Sequence, residues 1–159
     1  MAIYMKLAGA DGDVTEQGHK NWIELLDLQW SMSRTVRSAV GVGKNRESTS
    51  AYVSEITVTK YVDSGSKGVA TNAFVGKASD VQIDFTRVEK GQEAVFRTLK
   101  LTNAIISGLS NKATGGERPV EVIALNFTKI AITDKTAGVD NSAGSQSVTT
   151  YNLETAQTE

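Results

Sequence analysis

Few residues in this chain have the type and spacing to do chemistry. His19 is the only histidine and cysteine is absent. Histidine-rich metal sites, multi-histidine relays, thiol chemistry, disulfides and cysteine-ligated zinc are therefore excluded. One histidine can still serve a triad, but His19 stands between Gly18 and Lys20 at the start of a strand-like run and reads as a surface or interface histidine. The GVGK at 41–44 has part of a phosphate-binding loop. Asn45 stands where Ser or Thr would hold magnesium, and Ser38 stands where the first glycine of G-x-x-x-x-G-K-[ST] belongs, so no nucleotide site is expected. The DGD at 11–13 opens like a calcium loop but lacks the glycine and terminal glutamate at the required offsets, which predicts a solvated turn. Asn126, Phe127 and Thr128 match a glycosylation sequon, yet they lie in the most strand-like run, away from the exposed loop an acceptor needs. No catalytic, cofactor-binding or metal-binding residue is assigned.

Two other features invite a binding role. Trp22 and Trp30, the only tryptophans, stand eight positions apart in HKNWIELLDLQWSMS. At period two, Trp22, Leu26, Leu28, Trp30 and Met32 share a face, and a strand is predicted with that face inward; a helical stripe would break at Gln29. Ile23 and Leu25 then fall on the other face, where something must cover them. The second feature is the segment 33–49, where Arg34, Arg37, Lys44 and Arg46 stand against one acid, Glu47. A structureless loop of this length is uncommon in a compact domain and is often functional. It holds no aromatic residue to stack on a base. Contact with acidic patches of another subunit suits it better than nucleic acid, because local charge fixes register.

The rest of the chain must position these segments. Its 159 residues are enough for one self-sufficient domain. A composition 40% hydrophobic and 22% charged argues against disorder and fibrous repeats. A net charge of −1, with both signs well mixed, builds in no general attraction to nucleic acid or anionic lipid. The amino-terminal residues lack the form of a classical signal peptide, and no apolar run is long enough to cross a bilayer. Strands are predicted in AIYMKLAG, SAYVSEITVTKYV, the alternating Val81–Thr86 run, AVFRTLKLTNAIISGLS, VEVIALNFTKIAITD and VTTYNLETAQTE. The run over 120–132 changes phase, which implies a bulge or burial on both faces. KGVATNAFVGK at 67–77 predicts about two helical turns, with Val69, Ala73 and Phe74 on one side and Ser64 or Ser66 as cap. The expected fold is mainly β: a compact antiparallel barrel of two packed sheets, one short lateral helix and an extended loop at 33–49. All 159 residues form the single domain, with a short tail at 155–159.

Four stretches carry a resemblance when taken in order and spacing. They are YMKLAGADGDVTEQGHKNWIELLDLQWSMS, VSEITVTKYVDSGS, FRTLKLTNAIISGLS and ERPVEVIALNFTKIAI, together spanning about residues 3–154. The chain resembles the tube-forming Hcp family of bacterial type VI secretion systems. It departs from that pattern in GVGKNRES, less glycine-rich than the family's long loop, and in VTTYNLETAQ, which keeps part of the aromatic closing strand.

The resemblance implies a non-enzymatic, cofactor-free subunit that forms a homo-hexamer. Its rings stack into a hollow tube within a contractile sheath under a spike protein, and small effector proteins shelter in the lumen. Neither nucleic acid nor stable membrane insertion is implied. The protein would reside in the bacterial cytoplasm and then be secreted outside the cell or into a target cell without a classical leader. On this reading Ile23, Leu25, Thr57, Thr59, Tyr61 and one side of the 120–132 strand form the candidate subunit interface, and Arg34, Arg37, Lys44, Arg46 and Glu47 the ring-stacking loop. The rival reading is a monomeric β-sandwich module that binds carbohydrate or peptide on a platform of Trp22 and Trp30.

Overall fold

The computed structural model describes residues 1–38, 46–137 and 143–159. Its strands are β1 (Ala2–Leu7), β2 (Ile23–Leu25), β3 (Asp27–Gln29), β4 (Met32–Ser33), β5 (Val36–Ser38), β6 (Arg46–Ser48), β7 (Tyr52–Val53) and β8 (Ile56–Tyr61). A 3-10 turn spans Gln17–His19, and after the single described α-helix, α1 (Ser66–Val75), come β9 (Ser79–Glu89), β10 (Gln92–Lys112), β11 (Val120–Asn126), β12 (Lys129–Ala137), β13 (Ala143–Asn152) and β14 (Gln157–Thr158).

Every ladder is antiparallel, and β10 belongs to both main sheets. Its first half pairs with β9 and β12, and its second half, from Ile105, pairs with β11. The register slips between Leu101 and Ala104, where Asn103 takes φ 56°. An asparagine tolerates this left-handed backbone better than most residues, and the strand turns there from one sheet into the other. The neighbouring chain turns at the same level: β11 ends at Asn126, β12 begins at Lys129, and the Thr128 amide donates to the Thr102 carbonyl at 3.1 Å. This step accounts for the phase change over 120–132, because two strands of different sheets lie where one strand was read.

The barrel expected from the sequence is corrected: no sheet closes. One path of ladders runs β14-β13-β12-β10-β11-β8-β3, and β1 pairs with β9 and β2 off it. The segment 23–29 ladders with β1 through Ile23–Leu25 and with β8 through Asp27–Gln29, and Leu26 lies between the two pairings. The result is two antiparallel sheets over one core. Ile3, Met5, Ile23, Ile56, Val58, Val81, Ile83, Leu99, Leu101, Ile123 and Leu125 fill it at period two, and Val69 of α1 closes one end.

The helix lies close to the loop after β1. A Cβ on Gly68 would sit 2.1 Å from the Gly9 carbonyl oxygen, so only glycine fits there. The helix ends at Gly76 with φ 68°, a left-handed cap of the kind glycine supplies. Neither expected serine caps its start. The Ser66 hydroxyl accepts from the Asp63 amide, and the Ser64 hydroxyl donates to the Asp11 carbonyl. Val69 is buried and Ala73 packs on the core, but Phe74, predicted on the same side, is 89% exposed. The predicted tail is also partly structured, since β14 folds back on β13 and Glu159 bonds Lys129 and Asn152.

Candidate assembly surface

The segment predicted as a long loop is a hairpin arm. Met32 and Ser33 pair with Val53 and Tyr52, and beyond them Val36, Arg37 and Ser38 pair with Ser48, Glu47 and Arg46. The Ser54 amide donates to the Ser31 carbonyl at 2.8 Å, and the Thr49 amide to the Thr35 carbonyl at 3.0 Å. β-Branched Thr35 and Val36 suit such a ladder. Met32, Val36 and Tyr52 are exposed along it, as are Arg34 and Arg37. The backbones of Arg46 and Glu47 are rungs of the outer ladder, and Lys44 lies outside the described residues. Below the arm opens a groove of about 730 Å³, walled in part by Trp30, Tyr52, Val53, Thr57, Tyr151 and Leu153.

The five residues expected at a lateral interface separate into two groups. Along β8, Ile56, Val58 and Lys60 point inward while Thr57 and Thr59 are half-buried and Tyr61 is exposed on the other face. Arg118 stacks on the Tyr61 ring with its guanidinium carbon 4.7 Å from the centroid. Ile23 and Leu25, in contrast, are 0% and 4% exposed within the single chain. Their side chains are core, which corrects their placement at a neighbour-facing surface. The strand changes phase at Leu26, whose amide donates to the Thr59 carbonyl at 2.7 Å and whose side chain is 45% exposed. Alternation read unbroken through 22–32 put Leu26 inside and its neighbours outside. Leu26 and Val62 are apolar surface residues that reading missed, and the Leu25–Leu26 pair, which cannot both face inward on a regular strand, was the available signal.

The polar residues also differ from their sequence reading. His19 is 5% exposed, not a surface histidine. Its Nδ1 lies 2.6 Å from Glu16 Oε2, and its Nε2 lies 3.0 Å from the buried Asp84. Asp84 accepts further bonds from Thr98 Oγ1 and Gln82 Nε2. Tyr4 stacks on the imidazole at 4.8 Å and donates to Glu93. Burial, then the Glu93 bond and the charges of Glu93, Glu24 and Glu16, push the Tyr4 hydroxyl up to about 12. Glu16 is held below the usual carboxylate range by the Gly18 amide and then by His19. Ligand atoms of Glu16, His19 and Glu93 lie within 4.8 Å of one another, but each already has a hydrogen-bond partner. Among the described residues no hydroxyl bonds the imidazole, so the group lacks the nucleophile of a triad.

Lys60 is a second residue the sequence did not reveal. Its Nζ is wholly buried and reaches Glu121 Oε2 at 2.8 Å, Asp63 Oδ1 at 2.9 Å, the Tyr61 carbonyl and Ser66 Oγ. The cluster joins β8, β11 and the start of α1. Trp22 packs edge-on to His19 while Trp30 borders the groove under the arm without Trp22, so the two indoles do not form the shared platform of the rival reading.

The described residues thus form a two-sheet domain with an exposed apolar and basic arm. The family described as "Type VI secretion system effector, Hcp" matches residues 4–133, and the chain belongs to this family. Its members are structural subunits of the type VI secretion inner tube, not enzymes. The family is associated with hexameric rings and with sheath, spike and effector partners, and its members are made in the cytoplasm and exported by the secretion system.

Solved structures agree with this fold. The chain is 25% identical to a type six secretion system protein, with TM-score 0.89 over 99% of each chain. It is 19% identical to Hcp1 from Salmonella typhimurium, with TM-score 0.77 over 99% of this chain and 98% of that one. A type VI secretion system effector from Yersinia pestis is 24% identical, with TM-score 0.72 over 94% of this chain and 98% of that one. No curated protein sequence matches the chain.

Proposed function

We propose that copies of this chain join side by side into six-membered rings, and that the rings stack into a hollow tube that shelters small effector proteins. The tube forms in the cytoplasm inside a sheath and under a spike, and is expelled by sheath contraction. Thr57, Thr59 and Tyr61, facing outward from β8 with Leu26 nearby, are assigned to the lateral contact. The arm, through Arg34, Arg37, Lys44, Arg46 and Glu47, is assigned to contact between rings. The observation that carries the reading is the arm itself, because Met32, Val36 and Tyr52 stand exposed on a two-ladder projection that the chain's own core leaves uncovered.

Electron microscopy with native mass spectrometry of the purified protein tests the proposal. Rings of six protomers around an open lumen are expected. A chain that stays monomeric at every concentration in the absence of sheath and spike would overturn it.

A further inference from the structure

One buried histidine, His19, ties the loop between β1 and β2 to the outward side of those strands' sheet, meeting Asp84 of β9 and the Tyr4 ring of β1. Asp84 on β9 receives the Thr98 hydroxyl at 2.8 Å and the Gln82 amide at 3.1 Å, and Glu16 Oε1 receives the Gly18 amide at 2.9 Å. Both carboxylates therefore act as acceptors. An ionised carboxylate has no proton to give, so with both carboxylates ionised His19 donates from Nδ1 to Glu16 and from Nε2 to Asp84 at once. An imidazole can do this only as the imidazolium.

Titratable and charged groups face the ring from every element packed against it. From β1 comes Tyr4, from β9 Asp84, from β10 Glu93, from the loop Glu16, and Glu24 of β2 adds its charge at Tyr4. The edge of Trp22 closes another side. Among the described residues no lysine or arginine nitrogen comes within 4.0 Å of Glu16, Asp84 or Glu93. At that range the imidazolium is the one positive charge set against three carboxylates.

We propose that His19 is a proton-gated clasp: with both ring protons it holds residues 12–22 against β9, and release of one proton to solvent opens that segment. A neutral ring keeps one N–H. Its other nitrogen then presents a lone pair to a carboxylate oxygen, so a charge-assisted bond becomes a repulsion. If Nε2 gives up the proton, the loop loses its tie to the sheet; if Nδ1 does, the Glu16 turn loses its closure. The opening reaches α1, because the Asp11 carbonyl and the Asp13 carboxylate both receive the Ser64 hydroxyl just before the helix. The clasp belongs to the single chain and stands whether or not rings form.

Hydrogen exchange of residues 12–22, corrected for intrinsic rates, provides the test at about pH 5.5 and about pH 9.5. Exchange should be about tenfold faster at the higher pH, while β9 and β10 amides keep their protection. Nitrogen-15 spectra of His19 should show the doubly protonated ring wherever the segment is protected. Glu16→Gln supplies the control, since its amide carbonyl still accepts from Gly18 while its NH₂ donates to an unprotonated Nδ1. In E16Q the segment should stay protected at both pH values with the ring neutral at the higher one. Equal protection of the wild type at both pH values, a neutral ring in the protected state, or an unchanged pH response in E16Q would each overturn the clasp.

Discussion

Lys60→Met is the sharpest test of how this fold is held together. The wild-type Lys60 side chain is 0% exposed and its one positive charge is shared between Glu121 and Asp63, whose side chains are 7% and 8% exposed. Methionine fills nearly the same volume, so the change leaves two buried carboxylates facing each other with little loss of packing. Removing one partner of a buried pair costs about 3–5 kcal/mol. For a chain of this size each kcal/mol moves the midpoint by about 2–4 °C, giving a Tm lower by roughly 6–20 °C. Replacing Glu121 as well, in K60M/E121L, removes the worst of the uncompensated charge. Asp63 keeps the Gly65 amide as a donor at 2.9 Å, so the double variant should recover more than half of the loss. Urea titration followed by far-ultraviolet circular dichroism measures both, at protein concentrations low enough that assembly adds no stability by mass action. A K60M loss below about 1 kcal/mol, or a double variant no better than the single, would refute the view that compensation of buried charge governs this site.

Three further outcomes are expected. Gly68→Ala places a methyl 2.1 Å from the Gly9 oxygen and should cost about 1–3 kcal/mol in urea titration, while Gly115→Ala, with open space around it, should be near neutral. The folded-state value of Glu16 lies below its unfolded value of about 4.3, so its contribution is complete above that pH and is lost as pH falls through the folded value. Glu16→Gln should therefore make stability fall less steeply than in the wild type between about pH 4.5 and pH 3, measured by thermal unfolding across that range. Arg34→Glu with Arg37→Glu should prevent stacking of rings in electron micrographs while changing stability by less than about 0.5 kcal/mol per site.

The parts of this structure legible in the sequence were those set by local period. Val81, Ile83 and Phe85 alternate with polar residues and form β9, and the Lys90–Gly91 pair, both at positive φ, makes the turn into β10. The position of α1 was legible in the same way, the family came instead from four stretches taken in order and spacing, and the expected barrel does not close. Period failed wherever a strand passes between sheets. Leu26 and the pair Phe127–Thr128 each shift the inward face by one residue, and every assignment beyond such a step inverts. Ile23 and Leu25 were placed outside for this reason. The basic spacing marked the arm as unusual, but its pairing was not visible: Val36 meets Ser48 in the outer ladder and Met32 meets Val53 in the inner one, with no strong hairpin turn signal between them. His19 and Lys60 were hidden for a different reason. Their partners Asp84 and Glu121 lie 65 and 61 positions away, so only the folded chain shows that these charges are buried and compensated.

The pairing of β1 with β9 also sets an order of events for the nascent chain. β1 is made before β9, and Ala2 lies opposite Thr86, 84 positions later. Closing so large a loop before other structure exists carries an entropic cost that the first contacts cannot offset. The β9–β10 hairpin closes over a two-residue turn and carries no such cost. The hairpin is therefore expected to form the template and β1 to dock on it later, so that pulse-labelled refolding protects the β9–β10 amides before those of β1. Until then the apolar side of Ile3, Met5 and Leu7 stays uncovered, which makes the first strand the part of an unfinished chain most in need of a chaperone.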